Sequence, residues 1–127
     1  MKPILIALGG ALGSLARWWI SEAFVLTTGL ALPWAILLVN VTGCFVIGAA
    51  AAGSWNDVRF IDTDVVRYFV MVGLCGGYTT FSAFSLQTLG LLQAGDVGRA
   101  LLNVAASVLG CLAATWAGYT LAAAFAR

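Results

Sequence analysis

The sequence predicts an all-α membrane protein, a single domain of four transmembrane helices with the third helix broken at its centre. Three observations carry that expectation. Of 127 residues, 62% are hydrophobic and 9% are charged, whereas a soluble domain carries about 25% charged residues. Too few polar side chains exist to cover a globule in water. The apolar residues also gather into four long runs separated by short polar connections. Finally, the third run holds its least helix-friendly segment, "GLCGGYTTFSAFS" from Gly73 to Ser85, in its middle.

The spans run over about 3–26, 32–53, 65–92 and 97–125 within a single domain, 1–127. In span one, Lys2 precedes an apolar run in the manner of a signal peptide. "GGALGS" and the three later spans suit a retained helix instead. Gly9 and Gly13 stand at the GxxxG spacing of close helix packing. Arg17 and Glu22 interrupt the second half, so its apolar core ends near Ile20. Span two opens at Pro33, where a helix start tolerates proline. "SWNDVRFIDTD" carries four of the eleven charged residues and reads as a loop, and "QAGDVG" is a tight connection between spans three and four. Span three is too long. About 28 residues at ~1.5 Å each reach roughly 42 Å, against a hydrocarbon core of ~30 Å. Tilt absorbs part of the excess and a break absorbs the rest. The glycines Gly76 and Gly77 mark the expected break. Backbone unpaired at membrane depth is tolerated only within protein or beside a cavity.

Composition excludes several functions. Histidine is absent, so imidazole metal sites and histidine bases are absent too. The net charge of +1 suggests no nucleic-acid partner. Cys44, Cys75 and Cys111 lie in apolar runs and read as small buried residues, not as disulfides or metal ligands. No Asp or Glu stands inside a span, except Glu22 at the edge of span one. The chain reads as a non-enzyme.

The polar residues have direction. Asn103, Ser107, Cys111 and Thr115 recur every four residues and share one face of span four. That stripe is either packing surface or an ion track. Asn40, Gly43, Cys44 and Gly48 share a face of span two. An amide at that depth either joins helices or donates to a passing ion. Arg17 either snorkels from a short span or faces an aqueous vestibule. With both termini on one side, Lys2, Arg59, Arg67 and Arg127 oppose Arg99, joined by Arg17 if span one ends early. That is roughly four charges against two, a weak orientation signal. Two readings stay open: few charges to count, or insertion both ways with pairing to an inverted copy.

The central stretch offers donors and ring edges. Thr79, Thr80, Ser82 and Ser85 carry hydroxyls. Phe81 and Phe84, three apart, share a helix face. A phenyl ring presents a positive edge suited to anions and a negative face suited to cations. Carbonyls freed by a break are ligands for Na⁺-like cations.

Across its whole length the chain resembles the small fluoride channel family (Fluc, also called CrcB). "GGALGSLARWW", "PWAILLVNVTGCFVIG" and above all "GLCGGYTTFSAFS" carry the resemblance, with a looser match in the glycine-punctuated span four. The resemblance implies an antiparallel, dual-topology homodimer in the bacterial inner membrane, with two pores that passively export cytoplasmic fluoride. It implies a structural, non-transported Na⁺ held by the backbone carbonyls of Gly76 and Thr79. It assigns the pore to Asn40, Thr80, Phe81 and Phe84 and places Arg17 near the vestibule. Ser82, Ser85 and Ser107 are further pore candidates from their hydroxyls. Two departures stand out: Ala35 and Ile36 replace a usual Gly-Thr, and Cys111 replaces a usual serine. Two other functions compete: a proton-coupled small-cation exporter, with Glu22 as its poor carboxylate, and a non-transporting assembly subunit.

Overall fold

The computed structural model describes residues 1–29, 32–55 and 63–125. Arg59, Arg127 and most of the charged loop between spans two and three lie outside the described residues. Helix α1 spans Lys2–Thr28 and α2 spans Leu32–Trp55. Helix α3 begins as a π-wound stretch, Val65–Cys75, and continues as one α-turn, Gly76–Tyr78. After the break come α4, Phe81–Gln93, and α5, Val97–Phe125. Together α3 and α4 form one interrupted span, Val65–Gln93, of 29 residues. Among the described residues, four spans are therefore long and apolar enough to cross a membrane. Helix α1 runs unbroken through Arg17 and Glu22 to Thr28, past the expected end of its apolar core.

The helix ends follow local chemistry. Gly29 closes α1 in the left-handed region, φ 65°, where its N–H bonds to Val25. Gly95, φ 77°, ends α4: its N–H bonds to Leu92 while that of Asp96 reaches Leu91. Asp96 then caps α5, its carboxylate accepting from the Arg99 N–H at 3.1 Å. This connection leaves α4 and α5 antiparallel and in contact.

Two helix pairs form the bundle, α1 with α3 and α2 with α5. Each pair approaches closely enough for backbone to touch backbone. A Cβ on Gly77 would lie 2.5 Å from the Gly10 carbonyl oxygen, and one on Gly13 would strike the Leu74 carbonyl. Across the other pair, Gly48 abuts the Thr115 carbonyl and Gly118 the Phe45 carbonyl. Lipid offers little hydrophobic drive for association, so close van der Waals contact supplies it. Most large apolar side chains face outward, among them Leu26, Trp19, Trp116 and Leu109. The polar side chains of Asn40, Thr80, Asn103 and Ser107 are buried. This distribution, polar within and apolar outside, suits a lipid solvent.

The third span is interrupted three residues later than its glycines suggest. Gly76 and Gly77 are helical. The chain is extended at Thr79 (φ −80°, ψ 158°) and Thr80 (φ −151°, ψ 114°). Gly73 and Gly77 instead let α3 lie against Gly9 and Gly10 of α1. Their small size serves packing, while the threonines, tolerant of extended backbone, take the break.

Candidate functional site

The break is held open by a side chain 40 residues away. Asn40, on α2, accepts the Thr80 N–H on its Oδ1 at 2.8 Å. Its Nδ2 donates to the Thr80 carbonyl at 3.1 Å. One amide thus satisfies both backbone groups of the extended residue, and both ends of the pair are buried. Asn40 does join helices, as one reading of the sequence held. Nδ2 carries two hydrogens, so one N–H remains for another acceptor.

Thr80 in turn starts α4. Its hydroxyl accepts the Ala83 N–H at 3.2 Å, an N-cap bond. The same oxygen lies 3.2 Å from Ser82 Oγ. Rerouting these bonds changes two carbonyls. An unbroken helix would give the Thr80 N–H to Gly76 and the Ala83 N–H to Thr79. Here Asn40 and the Thr80 hydroxyl take them. Arg17 Nη1 stands 3.5 Å from the Thr79 carbonyl, a long contact at the limit of hydrogen bonding. Arg17 is half-buried and turned toward the break rather than toward a helix end.

Beside the break lies an open cleft of about 340 Å³. Asn40, Thr80, Phe81, Phe84 and Ser107 line it, together with Thr79, Cys44 and Cys111. Five of the seven expected pore residues therefore meet in one place. The rings of Phe81 and Phe84 tilt at 54° with centroids 5.1 Å apart. Phe84 is buried, whereas Phe81 is 76% exposed and projects from the protomer. Among the described residues, no carboxylate lines the cleft. Glu22 is exposed, outside the cleft.

Two expected residues are elsewhere. Ser85 is exposed and donates back to the Phe81 carbonyl at 2.9 Å, closing its hydroxyl onto its own helix. Ser82 is exposed and reaches only the rim through Thr80. In the α5 stripe, Ser107 and Cys111 line the cleft, and Asn103 sits one turn away, bonded to Thr88 Oγ1 at 3.0 Å. Thr115 drops out because its hydroxyl bonds back to the Cys111 carbonyl. Sequence reasoning missed Cys44 and Thr88. Cys44 shares a helix face with Asn40, a signal that was present; the partnership of Thr88 with Asn103 had none. Ile36 is buried and apolar where a hydroxyl was expected, and it does not line the cleft.

The comparison with known proteins agrees with this geometry. Residues 4–119 match the family described as CrcB-like protein, Camphor Resistance (CrcB). A protein of Methylocella silvestris named fluoride-specific ion channel FluC is 45% identical over 98% of this chain and 95% of its own. Its namesake in Methylobacterium radiotolerans is 51% identical over 94% of this chain and 83% of its own. That of Rhodospirillum rubrum is 46% identical over 94% and 92%. With the match covering nearly the whole chain, including the broken span and its asparagine clamp, the protein belongs to the CrcB family.

Proposed function

We propose that the protein is a passive fluoride-selective channel of the bacterial inner membrane that exports cytoplasmic fluoride. The observation that carries this reading is the meeting of Asn40, Thr80, Ser107 and Phe84 at the helix break, all buried within an otherwise apolar bundle. Fluoride holds its water tightly, so dehydration is costly unless donors replace the shell. The free N–H of Asn40, the Thr80 and Ser107 hydroxyls and the positive edge of Phe84 are such donors. A negative internal potential drives an anion outward at about 2.3 kcal/mol per 100 mV. The relatives' name, fluoride-specific ion channel, supports the choice of anion.

The working unit is an antiparallel homodimer. Gly76 and Phe81 are both exposed on the protomer, and the Gly76 carbonyl has lost its helical donor. Free backbone at membrane depth calls for a protein cover, and a second copy presenting the same surface provides one. Na⁺ fits the chemistry of this region. Each protomer offers two released carbonyls, Gly76 and Thr79, so two copies offer four oxygens. A bound cation would supply fixed positive potential near the anion path. Arg17, with Nη1 3.5 Å from the Thr79 carbonyl, adds positive charge beside the break.

The test is efflux from liposomes loaded with fluoride or chloride. Fast fluoride loss with little chloride loss supports the proposal, and equal rates or no fluoride loss overturn it. Cross-linking of reconstituted protein through cysteines placed on exposed positions reports whether both orientations occur in one dimer.

A further inference from the structure

Cys44 and Cys111 both stand in the wall of the cleft. The packing of α2 on α5 dictates this. One contact on one side is Val41 against Gly110, where Val41 Cγ2 would lie 3.3 Å from an added Cβ. On the other side Gly48 abuts the Thr115 backbone. Cys44 and Cys111 each precede that second contact by four residues, so one helical turn places them opposite each other. One turn the other way lie Asn40 and Ser107. Both cysteines are free thiols and half-buried, within reach of the cleft. Cys75 is a buried thiol that lines a separate cavity with Tyr78 and Thr42.

We propose that Cys44 and Cys111 form a two-thiol site for a soft monovalent cation of the Cu⁺ or Ag⁺ class, and that its occupancy closes the cleft to anions. The second half rests on the channel reading above; the first does not. Thiolates select soft ions over Na⁺, which takes oxygen ligands. Binding requires no oxidant. Each sulfur gives an electron pair to the metal, and each thiol releases its proton to solvent. Two neutral thiols and one M⁺ thus become a bis-thiolate complex of charge −1 plus two protons. The cleft wall gains a metal ion in bulk and a net negative charge beside Asn40 and Ser107. Both changes oppose an anion.

The probe is Ag⁺ as its nitrate, titrated calorimetrically into purified protein in chloride-free buffer, in a Cys75→Ala background. One tight Ag⁺ per chain with two protons released is expected, the protons being read from the buffer dependence of the heat. Cys44→Ser and Cys111→Ser should each weaken binding at least 100-fold and release one proton. Two independent silver ions per chain, or single-serine variants that bind as tightly as the parent, overturn the site. Co-elution of the variants with the parent on gel filtration separates loss of the site from loss of the fold. In liposomes, one Ag⁺ per chain should stop fluoride efflux from the parent, whereas Cys44→Ser should lose fluoride at the same rate with silver as without it. Efflux unchanged at full silver occupancy overturns the blocking role. A parent that never conducts fluoride refutes the channel reading, while the titration still decides the site.

Discussion

Removing the Asn40 amide should damage the protein twice. Asn40→Leu keeps the bulk of the side chain and deletes both bonds to Thr80, at 2.8 and 3.1 Å. The Thr80 N–H and carbonyl are then left unpaired in a buried place. Each orphaned group costs about 1–3 kcal/mol, so the penalty is about 2–6 kcal/mol. Water admitted to the cleft moves it toward the lower end, and relief of Asn40's own burial lowers it further. A second effect follows from geometry. Without the clamp, the Thr80 N–H is free to return to Gly76 and extend α3 through the break, which moves Phe81 and Phe84. Reversible unfolding of the purified protein in mixed micelles measures the first effect, and fluoride efflux measures the second. The account predicts a destabilisation of at least about 2 kcal/mol together with a loss of most of the efflux. A variant that unfolds with the parent refutes the clamp. One that is destabilised yet conducts at the parental rate refutes the link from clamp to path.

Other changes should separate packing from chemistry. Gly77→Ala drives a methyl into the Gly10 backbone, whereas the Cβ of Gly90→Ala meets nothing within 4 Å. The first should abolish monodisperse expression and the second preserve it; equal behaviour on gel filtration contradicts the close approach of α1 and α3. Thr88→Val removes the acceptor of Asn103 Nδ2 and should cost about 1–3 kcal/mol in the same unfolding assay, with no change in stability refuting the pairing. Phe84→Ile replaces a buried positive ring edge with an aliphatic group and should cut fluoride efflux at least tenfold, whereas Ser85→Ala, whose hydroxyl is turned onto its own helix, should leave efflux unaltered.

The spans were legible because lipid imposes a simple rule: about 20 apolar residues per crossing, with polar residues turned inward. Length alone did not announce the interruption of the third span, since α5 is as long, 29 residues, and unbroken; the glycine- and hydroxyl-rich stretch Gly73–Ser85 did. The position of the break within it was not legible. Glycine serves flexible backbone and close packing equally, and the sequence does not say which. Gly73 and Gly77 proved to be contact points for Gly9 and Gly10. The partner of Asn40 lies 40 residues along the chain, a distance that periodicity within one helix cannot express. Hydroxyl direction was equally hidden. Ser85 and Thr115 both bond back to the preceding turn, as Ser and Thr in membrane helices readily do. Ser107, equally spaced on its stripe, instead faces the cleft.

The most direct measurement is fluoride efflux from liposomes carrying the purified protein, run beside an identical chloride load. The account predicts rapid fluoride loss once a potassium ionophore relieves the charge, with chloride retained over the same interval. Matching fluoride and chloride rates, or fluoride held as tightly as in protein-free liposomes, would contradict it.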